Sequence, residues 1–346
     1  MSEPRPCPDC DPPFDRRRFL AVSAISLAGF AVPRQQIIAE TKVRAETSET
    51  AVVAFYETLT EKQKKEICYA WDYTEKERGL LRSHVSNNWS ITPQFIDSEY
   101  YTKKQKMLLH DAFKGLFSPE WYPLITRQLK EDAGGKPWGA GQSVALFGTP
   151  GHGKFELVMT GRHMTIRIDG NSEDHVALGG PIFHGHAPIF NEKKNHEGNV
   201  FWHQAQEANR VFTLLDGKQQ KKALVKVRPH EAEVPFQGKD GTYDGIHIKE
   251  LTSDQKAEVK KVMNTLIAPY RSVDQEEIMT CLEKQGGLDA CYLAFYEDGD
   301  IGADKVWDNW RIEGPSFVWY FRGEPHVHIW INVADTPEVK LNSHAG

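Results

Sequence analysis

The stretch that decides the fold is Pro325-His326-Val327-His328-Ile329-Trp330-Ile331-Asn332-Val333, close to the end of the 346-residue sequence. Valine and isoleucine fill every second position, and this period of two predicts a strand with one buried face. The opposite face carries His326 and His328, whose side chains point the same way and lie about 7 Å apart along the strand. Two such imidazoles can bind one metal ion or one anion. Two solvent-exposed histidines are the alternative.

Further alternating segments precede this strand. The predicted strands are residues 143–147, 155–168, 292–296 and 311–333. Clustered strands with hairpin-length links favour an antiparallel sheet flanked by helices, which is an α+β fold, and we expect a single large domain over residues 46–346. Residues 226–247 are rich in proline, glycine and charge, so we expect a long loop over the surface.

A hydroxyl residue followed three places later by glutamine occurs four times, beginning at Thr60, Thr102, Thr252 and Ser272. This spacing is the capping box, in which the two side chains satisfy N–H groups that have no partner at a helix start. The recurrence therefore indicates four helix N-termini. The predicted helices are residues 50–59, 61–72, 103–115, 119–132, 203–215, 253–268 and 274–285.

The segment from Gly148 to Lys154 matches the phosphate-binding P-loop at all but its last position. Phe155 stands where the motif requires a hydroxyl to bind Mg²⁺. The residues that follow alternate as a strand, whereas a P-loop opens a helix. We therefore predict a hairpin turn and reject nucleotide binding.

The N-terminal segment has the features of an export signal. Arg16 and Arg17 are followed by Phe19-Leu20 and by a modest apolar run, Ala21–Val32, which is too short to span a bilayer. This pattern predicts a twin-arginine signal over residues 1–45 and export to the periplasm or cell envelope, with no transmembrane span in the mature chain. A basic turn before a buried helix is the alternative.

Charge argues against a nucleic-acid partner. Residues 1–45 carry seven Lys or Arg and five Asp or Glu, so without them the net charge moves from −6 to −8. An acidic body lacks the basic footprint that nucleic-acid binding requires. A small-molecule ligand remains open, because several tryptophans are available to line a pocket, and the oligomeric state is not determined by the sequence.

The cysteines leave one question open. Cys7 and Cys10 lie in the predicted signal segment, so we assign them no role in the mature protein. Cys281 and Cys291 are able to form a disulfide in an oxidising compartment, which would leave Cys68 free. Sequence spacing alone does not establish the geometry of that pair.

Imidazole and carboxylate groups from separate elements suggest a metal centre. We predict that His163, His326 and His328 converge on one ion, completed by Glu207 or His186. The reason is that His163 lies on a predicted strand of the same sheet, so adjacent strand pairing would bring the three rings together. Neutral imidazoles with a carboxylate suit a divalent ion such as Zn, Fe, Cu or Mn. Satisfied polar residues with no ligand role are the alternative.

An ordered series of short motifs runs through residues 50–335. The series is Leu59-Thr-Glu-Lys-Gln63, Pro137-Trp138-Gly139, Phe147-Gly-Thr-Pro150, Gly161-Arg-His163-Met-Thr165, Gly185-His-Ala-Pro188, Gln206-Glu207, Arg311-Ile-Glu-Gly-Pro315 and His326-Val-His328-Ile-Trp330. In this order the motifs resemble the DUF3500 family of bacterial exported or cell-envelope proteins, whose function is undefined. The family pattern has a double histidine where this chain has Arg162-His163, so only His163 carries over.

These observations predict an exported α+β protein with a mononuclear metal site. If the protein is an enzyme, the metal would activate water for hydrolysis or bind an oxygen species for oxidation. The alternatives are a non-enzymatic cell-envelope protein that binds a small ligand or stores metal, and a purely structural exported domain. No G-x-S-x-G elbow is present in the sequence, so a serine hydrolase is not supported.

Overall fold

One large mixed sheet runs through the protein and carries the predicted last strand in its middle. The computed structural model describes residues 48–186, 200–232, 234–301 and 306–341, so the predicted signal segment lies outside the described residues. Helices pack against the sheet, and the expected α+β class is confirmed. Within the described parts of the chain, no helix is long and apolar enough to cross a membrane.

The sheet has eleven strands in the described residues, and two further short strands form a separate ribbon. The strands are β1 (Cys68–Tyr69), β2 (Thr74–Glu75), β3 (Gly79–Leu80), β4 (Gln142–Gly148), β5 (Phe155–Gly161), β6 (Met164–Ile168), β7 (Ile182–His186), β8 (Leu224–Val225), β9 (Ile246–His247), β10 (Tyr292–Tyr296), β11 (Asn309–Gly314), β12 (Phe317–Arg322) and β13 (Val327–Val333). The ribbon pairs β2 with β3.

The strand order of the sheet is β1-β4-β5-β6-β7-β13-β12-β11-β10-β8, and β9 also pairs with β10. All neighbours are antiparallel except the short edge pairs β1·β4 and β10·β8. Strands that follow one another in the chain are neighbours in the sheet, from β4 to β7 on one side and from β10 to β13 on the other. The two sets meet where β7 pairs with β13. This central pairing brings together two segments that are distant in sequence, and it positions the candidate site.

Helices cover much of one face of the sheet. They are α1 (residues 48–57), α2 (Glu61–Ile67), α3 (Lys103–Lys114), α4 (Tyr122–Asp132), α5 (Trp202–Leu214), α6 (Gly217–Ala223), α7 (Ser253–Ile267) and α8 (Ser272–Lys284). Capping boxes start α2, α3 and α7 at Thr60, Thr102 and Thr252, as the spacing predicted. The glutamines of the first two boxes also bond each other, so the two helix starts are tied together.

Two helix starts differ from the prediction. The predicted cap at Ser272 is wrong, because Ser272 is already helical and Arg271 precedes the helix without a side-chain cap. Helix α6 was not predicted, yet Asp216 and Gln219 form a complete capping box at its start. Aspartate performs the same capping chemistry as serine or threonine, so the start of α6 has the same pattern with a carboxylate in place of the hydroxyl.

Both faces of β13 are buried, whereas one buried face was predicted. Ile329 and Ile331 pack in the main core with the helices, and burying each such side chain contributes about 1.5–3 kcal/mol. Trp330, on the other face, is also buried, in a second cluster that includes Ala232 and Val234. The cover is supplied by the long loop that was predicted to lie on the surface. His328, on the same face as Trp330, is fully buried.

The segment that resembles a P-loop is a hairpin turn, as predicted. Strand β4 ends at Gly148 and β5 begins at Phe155, and these two residues are paired across the antiparallel ladder. Gly148 has a positive φ of 74°, and an added Cβ would lie too close to the backbone of Lys154, so only glycine fits there.

Cys68, Cys281 and Cys291 are free thiols, so the structure does not contain the disulfide between Cys281 and Cys291 that the sequence left open. Burial raises the pKa of the thiols of Cys281 and Cys291 to about 12. Both thiols are therefore protonated and weakly nucleophilic at neutral pH.

Candidate metal centre

Three imidazole nitrogens meet at one point. The Nε2 atoms of His163 and His326 lie 3.1 Å apart, those of His163 and His328 lie 3.2 Å apart, and those of His326 and His328 lie 3.0 Å apart. Among the described residues, these histidines form a group whose ligand atoms all lie within 4.8 Å of one another. The structure therefore brings together the three histidines that the sequence predicted to converge.

His163 reaches this point from a tight turn, whereas the sequence placed it inside a strand. Gly161 at the end of β5 pairs with Met164 at the start of β6, so Arg162 and His163 form a two-residue turn. His163 has φ of 57°, a left-handed conformation that costs about 1–3 kcal/mol for a residue other than glycine. The N–H of His163 donates to the carbonyl of Asn87 (2.9 Å), which helps to hold this backbone in place.

The expected direct pairing of the His163 strand with the last strand is wrong, because β7 lies between β6 and β13. Gly185 of β7 is paired with His328 across the ladder, and its N–H donates to the carbonyl of His163 (3.2 Å). A Cβ at Gly185 would lie 3.1 Å from ring carbons of both histidines. The rings thus meet over the glycine, and the missing side chain gives them the space.

Burial keeps two of the rings neutral. His163 and His328 have no exposed surface, and His326 is 3% exposed. Burial lowers the pKa of His326 to about 2, with smaller contributions from His163 and Arg322. Burial and then Arg322 likewise lower the pKa of His328 well below its ordinary value. Neutral imidazole is the form that binds metal ions, so protons do not compete for His326 and His328 at neutral pH.

A carboxylate fixes the orientation of His163. Asp132, at the end of α4, accepts a hydrogen bond from Nδ1 of His163 (2.9 Å) and one from Gln128 (2.9 Å). Burial alone would raise the pKa of Asp132, but His163 and the hydrogen bonds outweigh it and lower the pKa, so the carboxylate is ionised. Because Nδ1 donates its proton to Asp132, Nε2 of His163 presents a lone pair to the other two rings.

A second carboxylate does the same for His328. Glu231 accepts from Nδ1 of His328 (2.6 Å), and its carboxylate also contacts Nη1 of Arg322 (3.1 Å) and the amide of Asn87 (3.3 Å). In the tautomer that donates Nδ1–H to Glu231, Nε2 of His328 also presents a lone pair. Two lone pairs 3.2 Å apart repel each other unless a metal cation or a proton lies between them.

The spacing of the nitrogens fits a single ion. Two imidazole nitrogens bound to one zinc ion at about 2.0–2.1 Å and at a tetrahedral angle lie about 3.3 Å apart, and at a right angle about 2.9 Å apart. The three measured separations, 3.0–3.2 Å, fall between these values. Three ligands on one side of an ion leave at least one coordination position for water or substrate.

The two residues proposed to complete the site lie outside this group. Glu207, on α5, forms a surface ion pair with Arg210 (3.0 Å). Nε2 of His186, at the end of β7, contacts a carboxylate oxygen of Glu131 (2.7 Å). Neither residue belongs to the group of three whose ligand atoms converge. The described structure therefore offers three histidines as ligands and places carboxylates behind them.

Asp132 and Glu231 were missed by the sequence analysis, and only one of them left a signal. Asp132 ends a helix, where the negative end of the helix dipole disfavours a carboxylate, so a buried partner was to be expected. Glu231 lies in a loop with no periodicity, 97 residues from His328, and nothing local marks it.

Fold and site together define an α+β protein with a buried, carboxylate-supported three-histidine centre. Residues 41–335 match the model of the family described as "Protein of unknown function (DUF3500)", and the chain belongs to that family. No curated protein and no solved structure matches the chain.

The carboxylate behind His163 can be tested against its immediate neighbour. Asp132→Asn should weaken metal binding about 10- to 100-fold, because replacing a residue that supports a ligand typically has this effect. Glu131→Gln is the matched control, since Glu131 contacts His186 and should leave the affinity unchanged. Titration calorimetry with zinc measures both, and equal affinities in the two variants would contradict the assigned role of Asp132.

Proposed function

We propose that the protein binds one divalent metal ion through Nε2 of His163, His326 and His328, and that it is a metal-dependent enzyme. The observation that carries the proposal is the triangle of nitrogens with separations of 3.0–3.2 Å. The supporting carboxylates add to it, because they direct two lone pairs at the same point. A core that only packs for stability gains nothing from such an arrangement.

The donor set narrows the choice of metal. Three imidazole nitrogens suit Zn, Fe or Cu better than Mg or Ca, and Mn is the least favoured of the four metals considered. A bound ion of this kind supplies Lewis acidity, either to a water molecule or to an oxygen species. Zinc would support hydrolysis, and iron or copper would support oxidation, because all three ions accept imidazole donors.

The protein side chains have separate roles in this proposal. His163, His326 and His328 hold the ion, while Asp132 and Glu231 keep two of the rings in the correct tautomer and orientation. Positioned ligands lower the reorganisation needed for chemistry at the site. The left-handed backbone of His163 fits this view, because strained residues are concentrated at functional sites.

Elemental analysis of protein purified from its natural host tests the proposal and selects the reaction. We expect about one metal ion per chain. Zinc would favour hydrolysis, and iron or copper would favour oxidation. Protein that purifies without metal and does not take up added Zn²⁺, Fe²⁺, Cu²⁺ or Mn²⁺ would exclude the metal centre.

A non-catalytic role is the second candidate, and one observation favours it. All three rings are buried beneath the protein surface, and a closed site is typical of metals that are stored or structural. Access to the bound ion separates the two roles. A catalytic centre should admit a small zinc-binding anion to its open coordination position, whereas a closed structural site should not.

We also propose that the protein is exported by the twin-arginine route, which carries folded proteins and would allow metal to be loaded before export. The support is the sequence around Arg16 and Arg17. Replacing both with lysine should leave the precursor in the cytoplasm. Cell fractionation of the natural host measures this, and normal export of the double variant would contradict the proposal.

A further inference from the structure

A long segment without regular structure covers the face of the sheet that carries His328. This segment, residues 226–245, connects β8 to β9, and we call it the strap; residue 233 is not described. Its inner side chains Ala232 and Val234 pack in one cluster with Trp330 and Tyr320 of the sheet. The strap therefore depends on contacts with the sheet for its position, since it has no helix or strand hydrogen bonding of its own in the described residues.

Polar contacts anchor the strap at separate points. The carbonyl of Pro229 accepts from the hydroxyl of Tyr320 (3.1 Å), and the carbonyl of Val234 accepts from the side chain of Asn332 (2.8 Å). Between these two points lies Glu231, whose carboxylate reaches Nδ1 of His328. The strap thus contributes one charged group directly to the metal centre.

Nδ1 of His328 has two competing partners. Oε2 of Glu231 lies 2.6 Å away and can only accept, whereas Nη2 of Arg322 also lies 2.6 Å away and can only donate. A ring nitrogen either carries a proton and donates, or lacks it and accepts. Nδ1 therefore bonds Glu231 in one tautomer of His328 and Arg322 in the other.

We infer that metal binding closes the strap by selecting the tautomer of His328. This inference rests on the proposed metal site. An ion on Nε2 requires the proton to be on Nδ1, and that proton is donated to Glu231 of the strap. Without the ion, Nε2 can hold the proton, Nδ1 then accepts from Arg322, and the strap loses a charge-assisted hydrogen bond. Linkage makes the effect reciprocal, so a closed strap also tightens metal binding.

The surface beneath the strap carries polar atoms that could contact a ligand. Trp330 Nε1 and Asn332 Oδ1 are buried beneath the strap and have no hydrogen-bond partner in the described residues. Lifting the strap would offer this indole N–H and amide oxygen to a polar ligand beside His328. The strap is then an element that controls access to the centre according to its metal state.

Hydrogen–deuterium exchange of the strap, with and without zinc chloride, tests the coupling in the full chain. We expect saturating zinc to slow exchange of strap amides about tenfold or more, because a hydrogen bond to a charged group is gained. Glu231→Ala should still bind zinc through three nitrogens but show no slowing. Glu231→Gln is the milder variant to use if Glu231→Ala does not fold. It keeps an uncharged acceptor, so zinc should slow strap exchange less than in the wild type.

Asp132→Asn is the control, because it weakens metal binding at His163 without touching the strap. When this variant is saturated with zinc, its strap amides should exchange as slowly as those of the zinc-bound wild type. Calorimetry on the same samples measures zinc binding itself, so it tests the proposed metal site separately from its coupling to the strap. Zinc binding without any slowing overturns the coupling alone, as does equal slowing in Glu231→Ala. Absence of zinc binding in the wild type overturns the proposed function and the coupling together.

Discussion

His328→Ala should reduce zinc affinity by at least about 100-fold and abolish stoichiometric metal in the purified protein. His328 is itself a proposed ligand, and replacing a residue that supports a ligand already lowers metal affinity about 10- to 100-fold. His328 also contacts the other members of the site. Its Nε2 lies 3.0–3.2 Å from the Nε2 atoms of the other two histidines, and its Nδ1 bonds Glu231. Titration calorimetry with elemental analysis measures the loss.

The matched control for this substitution is His152→Ala. His152 is exposed in the turn between β4 and β5, so its removal should leave zinc affinity and stability unchanged. Circular dichroism of both variants checks that the fold is retained. Wild-type affinity in His328→Ala would show that the converging rings do not hold the ion.

Gly185→Ala should damage the centre without removing any of its ligands. The added Cβ would lie 2.6 Å from the carbonyl oxygen of Val327, closer than real contacts of this kind, and 3.1 Å from the rings of His163 and His328. Relief of this overlap must separate β7 from β13 or move the imidazoles. We expect a loss of about 1–3 kcal/mol in the free energy of unfolding and at least about tenfold in zinc affinity.

Gly141→Ala provides the comparison, because a Cβ there meets no atom within 4 Å. That variant should retain the wild-type unfolding midpoint, measured by thermal denaturation, and the wild-type zinc affinity, measured by calorimetry. If Gly185→Ala instead binds zinc as tightly as the wild type, the rings do not need the space that the glycine provides.

Local patterns in the sequence predicted the elements well. The period of two in residues 325–333 identifies β13, because alternation along a strand is imposed by its own backbone. Capping at Thr60, Thr102 and Thr252 was equally readable, since both partners of each box lie within one turn. The same local logic found His326 and His328 as a pair.

What the sequence did not predict depends on contacts between distant segments. The order of strands places β7 between β6 and β13, and no periodicity in any single strand reveals its neighbours. The role of Gly185 was therefore not predictable from its own strand. The role of Glu231 was not predictable either, because it exists only after the loop that carries it folds over the sheet.

One measurement tests the central claim most directly: X-ray absorption spectroscopy at the metal edge of the loaded protein. We expect about three imidazole nitrogens in the first coordination shell, at about 2.0–2.1 Å if the ion is zinc, and at least one oxygen ligand from solvent. His328→Ala should lose this imidazole signal. A first shell made mainly of oxygen or sulfur, or an unchanged spectrum in the variant, would contradict a centre formed by His163, His326 and His328.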